Sequence, residues 1–358
     1  MAAAAPVAAL FAPQNRDWAL PAEANLSPRA AERVGREAAQ RSFDEAARSL
    51  NLDWQTTLDG KQVQRWGEAL GRGMVKARDR HTRAYREGHY PEGPANPPTL
   101  LVIGMDGGRF QSRDKDPDTG SRWREDKVLT VGSYVPGDGR ERKPVPLVRT
   151  HLATSRDARD FGLMARVEAE RRGYRRAGTV IAIGDGGNWI DPLLDREFRV
   201  AARVVDWYHA SEHLWDCAKA IHGPQTPAAA AMAERLEAYL WDGWVQRVIE
   251  ELSGHARRLG EPRAADPPQH PRRVLGQNVG YFTRHAGHMD YPRYRANGWP
   301  VGSGETEAGV KQFNKRVKGT EQFWTEAGIE PILCLRGAWV SQDERWHHYW
   351  ENRPAYVN

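Results

Sequence analysis

The chain has 358 residues, of which 40% are hydrophobic, an ordinary fraction for a protein with a packed core. Its 52 Lys and Arg residues nearly balance 47 Asp and Glu residues, so the net charge of +5 permits nucleic-acid binding without establishing it. Its two cysteines, Cys217 and Cys334, exclude a thiolate zinc finger and a disulfide framework. No apolar run approaches the roughly 20 residues that span a bilayer, so we expect no membrane partner and a reducing, cytoplasmic compartment.

The N-terminal quarter is predicted to be helical after a short tail. Residues 1–26 begin M-A-A-A-A-P-V-A-A-L-F-A without a basic segment, which favours a disordered or loosely docked tail over a signal peptide. Residues 27–90 are rich in the helix-forming residues Ala, Arg, Glu and Gln. Ser42 and Glu45 have the spacing of a capping box at one helix start, and residues 61–70 form a second amphipathic helix. The pair fits either a DNA-binding helix-turn-helix or an ordinary helical hairpin.

The pattern of apolar residues changes after the Pro-rich segment 91–98, which is predicted to be a stiff linker and a domain boundary. Residues 99–223 alternate apolar runs with amphipathic segments in the order β-β-β-α-β-α-β. This order predicts an α/β fold with a mixed five-stranded sheet flanked by helices. Residues 224–300 are predicted to be a helical insertion, and residues 301–358 supply the last helix of the core.

Two acidic residues stand at corresponding places in this pattern. Asp106 and Asp185 each end an apolar run and each precede Gly-Gly, in G-M-D-G-G and G-D-G-G. Because ligands gather at the carboxyl ends of parallel strands, the pair predicts a site for Mg²⁺ or Mn²⁺, which prefer oxygen ligands. The alternative is that D-G-G is only a turn signal. A third carboxylate is expected from the last helix, where G-S-G-E-T-E-A offers Glu305 and Glu307.

Basic and aromatic side chains near these acids are candidates for contact with a phosphodiester backbone. The alternative interpretation is a solvated amphipathic helix for the basic residues and a core position for each Trp. The predicted DNA-binding set consists of Arg109, Arg113, Lys311, Lys315, Arg316, Lys318 and Trp324, with Trp189 as a further candidate for base stacking.

Together, four motifs resemble those of bacterial insertion-sequence transposases of the DDE superclass. The motifs are G-M-D-G-G, G-D-G-G, D-W-Y-H and G-S-G-E-T-E-A, and W-R-E at 123–125 and E-Q-F-W-T-E-A at 321–327 also match family positions. The resemblance covers about residues 99–350. It is to the ISKra type, which is distantly related to the Mutator transposases.

This resemblance implies an RNase H-like fold and a DNA transposase that cuts and joins strands at the ends of an insertion sequence. It implies two Mg²⁺ or Mn²⁺ ions bound by Asp106, Asp185 and Glu307, with Glu305 as the alternative third ligand. The implied partners are double-stranded DNA, both element terminal inverted repeats and target DNA, and further copies of the chain assembled on that DNA. The implied setting is a bacterial nucleoid, and no small-molecule cofactor is expected.

The D-W-Y-H motif permits more than one interpretation. The family carries an Asp-x-x-His here, so Asp206 and His209 are expected beside the acids, where they orient a ligand, a water or a phosphate by hydrogen bonds. Asp206 also competes with Asp185 as a metal ligand, although Asp185 is favoured. Alternatively, His209, Glu212 and His213 form H-x-x-E-H, the pattern of an inverted zinc peptidase.

Two further functions use the same core residues. Only about 90 residues precede the linker, which leaves little chain for a domain that reads terminal repeats. A domesticated, non-mobile DNA-binding derivative and an RNase H-like nuclease without strand transfer therefore stay open beside the transposase.

Overall fold

A computed structural model describes residues 26–319 and 322–351, and within these ranges the chain forms one sheet surrounded by helices. The strands are β1 Leu100–Ser112, β2 Trp123–Val135, β3 Val145–Thr154, β4 Thr179–Gly184, β5 Ala202–Val205 and β6 Phe323–Trp324. The helices are α1 Pro28–Gln40, α2 Phe43–Trp54, α3 Gly60–Arg86, α4 Ala158–Arg171, α5 Ile190–Glu197, α6 Trp207–His222, α7 Pro227–Trp241, α8 Val245–Leu259, α9 Pro271–His285, α10 Tyr291–Ala296, α11 Gly304–Val317, α12 Glu326–Val340 and α13 Arg345–Glu351.

The sheet has the order β3-β2-β1-β4-β5, with β6 paired to β1. β1, β2 and β3 form an antiparallel meander, whereas β4 is parallel to β1 and β5 is parallel to β4. The mixed sheet flanked by helices agrees with the prediction and is compatible with an RNase H-like fold. The prediction of five strands missed β6, because a strand of two residues has no periodicity to detect.

The N-terminal helices pack onto the C-terminal part of the chain. The predicted capping box of α2 is present, since the Glu45 amide donates to Ser42 Oγ and the Ser42 amide donates to Glu45 Oε2. α3 continues to Arg86, well beyond the predicted 61–70, and both α1 and α3 contact α12. Glycine at position 71 permits the contact between α3 and α12, because a Cβ there would lie 2.4 Å from the Pro331 carbonyl oxygen. The helix-turn-helix stays a prediction.

Apolar side chains fill both faces of the sheet. On one face, Ile103 and Leu129 pack against Phe161 of α4 and Leu193 of α5. On the other face, α11 covers β1 and β2, α12 covers β3, and α6 to α10 extend the core away from β5. Within the described ranges, each helix is too short or too polar to cross a membrane. The predicted tail lies outside these ranges except for Leu26.

Candidate active site

Asp106 and Asp185 lie at the end of the parallel β1–β4 ladder. That ladder ends with Gly104 opposite Ile183, so both acids come directly after it. Asp185 follows the last residue of β4, as predicted. Asp106 does not end its strand, because β2 continues to pair with β1 and places Val128 opposite Asp106. The two acids line one open groove of about 600 Å³.

The surroundings of the Asp106 carboxylate disfavour its charged form. Burial, the nearby Asp185 and, more weakly, Glu307 together raise its pKa to about 6. The Gly107 amide opposes this shift by donating to Asp106 Oδ1 at 2.6 Å, as does His209 through its charge. Repulsion of this kind is what a cation between carboxylates relieves, and a set of carboxylate oxygens suits Mg²⁺ or Mn²⁺.

Helix α11 lies close to Asp106 because it crosses β1 at very short range. A Cβ on Gly104 would lie 1.8 Å from Thr306 Oγ1, and a Cβ on Gly309 would lie 2.7 Å from Thr130 Oγ1. Glycine at these two positions therefore lets α11 lie directly on the sheet beside Asp106. This close packing determines where the first turn of α11 presents its side chains.

The two acids of that first turn have different surroundings. Glu305 forms an ion pair with Arg149 on β3. Glu307 pairs with Lys311 one turn further along α11, at 3.2 Å, and it contributes to the raised pKa of Asp106. Of the two acids, Glu307 is the one whose charge acts on Asp106, and its role as the third ligand stays a prediction.

Asp206 is buried and both of its carboxylate oxygens accept backbone hydrogen bonds. Oδ1 accepts from the His209 amide at 2.7 Å and caps α6, while Oδ2 accepts from the Ser303 amide just before α11. Its own amide donates to the Gly184 carbonyl at 2.8 Å. Asp206 therefore ties the end of β4 to the start of α11, and this engagement favours Asp185 as the metal ligand.

The H-x-x-E-H pattern does not form a metal site in the described residues. His209 Nδ1 is 3.6 Å from Glu212 Oε2, but His213 packs its ring on Tyr281 at 4.2 Å between centroids. Within residues 26–319 and 322–351, the ligand atoms of these three residues do not all lie within 4.8 Å of one another, so the zinc-hydrolase interpretation stays a prediction.

Asp106, Asp185 and Glu307 also do not meet that 4.8 Å separation. Three like charges are expected to stand apart unless a cation draws them together. The structure therefore places Asp106 and Asp185 in one groove and Glu307 near enough to raise the pKa of Asp106, but it does not close the three acids into a coordination sphere.

Two members of the predicted DNA-binding set are buried, which corrects the prediction. Arg316 is 1% exposed, its Nε donates to the Ala38 carbonyl at 2.7 Å, and burial lowers its pKa to about 9. Trp324 is 5% exposed and its indole N–H donates to the Val317 carbonyl at 3.0 Å. The sequence contained the signal, since Phe313 stands one helical turn before Arg316 and marks the buried face. The remaining members are exposed: Arg109, Arg113, Lys311, Lys315 and Lys318.

The groove also contains Trp189, a predicted stacking candidate, and side chains outside the predicted DNA-binding set. Trp123 of the W-R-E motif is 42% exposed, lines the groove, and has Lys318 Nζ 5.6 Å from its ring centroid. Arg124, Glu125 and Trp189 line the same groove. The groove thus presents aromatic side chains and positive charge beside the two acids, and base stacking by Trp189 stays a prediction.

Comparison with known proteins gives limited information. No protein-family model matches the chain, and no curated protein matches it in sequence. Among solved structures, the chain resembles the Drosophila P element transposase strand transfer complex, with a TM-score of 0.39 and 10% sequence identity. The match covers 87% of this chain and 92% of that one. A correspondence this loose carries no argument about function, which we base on the groove alone.

Proposed function

We propose that the chain is a DDE-type polynucleotidyl transferase, a transposase that cleaves DNA strands and joins them to target DNA. The observation that carries the proposal is that Asp106 and Asp185 follow neighbouring parallel strands into one groove, with the charge of Glu307 acting on Asp106. If D-G-G were only a turn sequence, nothing would require Asp185 and Glu307 to lie near Asp106.

The proposed ligands for two Mg²⁺ or Mn²⁺ ions are Asp106, Asp185 and Glu307. Bound there, the ions would polarise the scissile phosphate and lower the pKa of the attacking water or 3′-hydroxyl. The chain itself contributes position and charge. Asp206 fixes the start of α11 through Ser303, which sets the reach of Glu307 toward the strand ends.

The exposed groove side chains would hold the DNA. Arg109, Arg113 and the exposed lysines of α11 would neutralise phosphates on both sides of the cut. Trp123 and Trp189 would stack on bases that are unpaired near the scissile bond. Binding of double-stranded DNA ends and target DNA, and assembly of several copies on that DNA, belong to this proposal.

The test is Mn²⁺- or Mg²⁺-dependent cleavage of labelled duplex DNA. We expect Asp106→Asn, Asp185→Asn and Glu307→Gln each to reduce cleavage by roughly 10²- to 10³-fold, the usual loss when one electrostatic contact to a transition state is removed. Glu305→Gln is the matched control, because Glu305 pairs with Arg149 and should keep most activity. Normal cleavage by Asp106→Asn or Asp185→Asn would refute the site.

A second assay separates the transposase from the two related functions. A duplex with a recessed, labelled 3′-hydroxyl end is incubated with plasmid and Mn²⁺, and joined products are measured. Joined products support a transposase, and cleavage without joining supports a nuclease. DNA binding without either reaction supports a domesticated derivative.

A further inference from the structure

A second group of ligand atoms lies behind the acidic groove, at the junction of the core and the helical insertion. Asp191 stands in the first turn of α5, His285 ends α9, and His288 follows in a short 3-10 helix at 286–288. Each residue offers one ligand atom, and these atoms all lie within 4.8 Å of one another. The prediction from sequence placed none of the three in a site.

His285 is the residue that points to a ligand. Its side chain is 2% exposed, and neither ring nitrogen has a hydrogen-bond partner among the described residues. Buried polar groups in folded proteins are almost always satisfied, so two orphan nitrogens on one ring need an explanation. Its Nδ1 is 3.8 Å from Asp191 Oδ2, too far for a hydrogen bond and close enough for an ion between them.

The charge state of the group suits a metal ion. Burial lowers the pKa of both His285 and His288, which keeps the rings neutral and their lone pairs available. Arg203 is the neighbouring cation, and it contacts Asp191 Oδ1 at 3.4 Å while also pairing with Asp195. Asp191 Oδ2 therefore remains available to bind an ion on the side of His285. When an ion binds, Arg203 can keep its ion pair with Asp195.

We infer that Asp191, His285 and His288 bind a divalent transition-metal ion of the Zn²⁺ class, separate from the ions proposed at the acidic groove. Two imidazoles and one carboxylate are ligands that Zn²⁺ accepts, whereas Mg²⁺ prefers oxygen alone. In a tetrahedral site, Zn²⁺–ligand bonds of about 2.0–2.1 Å place the ligand atoms about 3.3 Å from one another. Each distance between the ligand atoms of Asp191, His285 and His288 therefore has to shorten by at most about 1.5 Å when the ion binds. The half-buried Asp191 and His288 can move this far by a change of rotamer, while His285 stays fixed.

The ion would join the insertion to the core behind Asp185. A Cβ on Gly186 would lie 3.1 Å from His285 Nε2, and Tyr281 Oη donates to the Asp185 carbonyl at 3.0 Å. α9 therefore already rests on the loop that carries the acid. Cross-linking α9 to α5 restricts this loop, so the role we assign to the ion is structural.

The test uses the full-length Asp106→Asn chain, which weakens the acidic groove as a competing site. This protein is stripped with EDTA, dialysed, and titrated with Zn²⁺ alone. We expect uptake of one Zn²⁺ per chain, a melting temperature raised by roughly 3–6 °C at 100-fold excess over the dissociation constant, and slower hydrogen exchange in the peptides around 186–197 and 281–288. Mg²⁺ at the same concentration should produce none of these changes.

Variants then locate the ion. Asp191→Asn and His288→Gln, both at half-buried positions outside the apolar core, should abolish uptake and the thermal shift in the same background. His347→Gln, at an exposed histidine, and His213→Gln, in the H-x-x-E-H motif, should bind as before. The inference is overturned if the folded Asp106→Asn chain takes up no Zn²⁺, or if Asp191→Asn and His288→Gln still bind it. Neither result bears on the DNA-cleavage assay, so failure here is distinguishable from failure of the proposed function.

Discussion

Asp126 gives the sharpest quantitative test of the electrostatics around the groove. It lies on β2 opposite Gly108, is 0% exposed, and its carboxylate oxygens have no hydrogen-bond partner in another described residue. A Cβ on Gly108 would lie 2.6 Å from Asp126 Oδ2, so the carboxyl occupies the space that glycine leaves. Burial raises the pKa of Asp126 from 3.8 to about 7.

The sign of the effect follows from linkage. The folded-state pKa lies above the unfolded-state value, so the native protein prefers the protonated form. The contribution of the Asp126 carboxyl to the free energy of unfolding is complete below pH 4. It is lost as the pH rises through 7, because the buried carboxyl then has to ionise. The shift of about 3 pKa units corresponds to about 4 kcal/mol of unfolding free energy, at about 1.4 kcal/mol per pH unit.

Asp126→Asn removes this pH-dependent loss of stability, because an amide side chain does not ionise. We expect the variant to gain stability over the unmodified protein as the pH rises from 4 to 7, with a constant difference of about 4 kcal/mol above pH 7. Urea unfolding in EDTA at pH 5, 6, 7 and 8, followed by tryptophan fluorescence, measures the difference. Asp118→Asn, at an exposed aspartate, is the control and should show no such trend. A difference between Asp126→Asn and the unmodified protein that is independent of pH, or that shrinks as pH rises, would refute the reasoning.

Three further predictions concern packing beside the groove. Gly104→Ala should lower both the melting temperature and DNA cleavage, because its Cβ displaces α11, and Thr306→Ala should restore part of both. Asp206→Ala should cost about 1 kcal/mol in urea unfolding from the lost α6 cap and should reduce cleavage more than Asp206→Asn, which keeps one acceptor oxygen. Trp123→Ala should weaken DNA binding in fluorescence anisotropy with little loss of stability, whereas Trp324→Ala should lower the unfolding free energy by about 3–5 kcal/mol.

Each of these has a contradicting outcome. Full activity of Gly104→Ala would mean that α11 does not depend on contact with β1. Equal cleavage by the two Asp206 variants would mean that the hydrogen bonds to the start of α6 and α11 do not position Glu307. Unchanged DNA affinity for Trp123→Ala would remove the aromatic surface from the proposed DNA site.

Much of the core could be predicted because its signals are local. Buried strands are continuous apolar runs, capping boxes have fixed spacing, and Ser42 with Glu45 shows that such a pattern can be read correctly. The order of strands and helices constrains the sheet, since parallel strands need a crossover and antiparallel ones do not. Asp106 and Asp185 were expected to meet for this reason, and the structure places them in one groove.

The errors arose where a long-range contact overrode the local pattern. Arg316 and Trp324 look like surface groups in a basic, aromatic segment, yet the N-terminal helices cover them, with Arg316 donating to Ala38 far earlier in the chain. β1 extends past Asp106 because β2 supplies hydrogen-bond partners, which glycine-rich sequence alone does not reveal. α3 extends past residue 70, and there Gly71 lies against Pro331 of α12, a contact that the local pattern does not reveal.

The sequence by itself determined the class of fold, the two acids at the strand ends and the acidic first turn of α11, because each depends on neighbours within a few residues. Tertiary structure alone decided that Asp206 is held by two backbone amides, that Glu305 pairs with Arg149, and that Asp126 is buried without a partner. It alone also brought Asp191 to His285 and His288 from across the insertion. These relations depend on distances between segments far apart in the chain, and such distances follow from the packing of the whole fold.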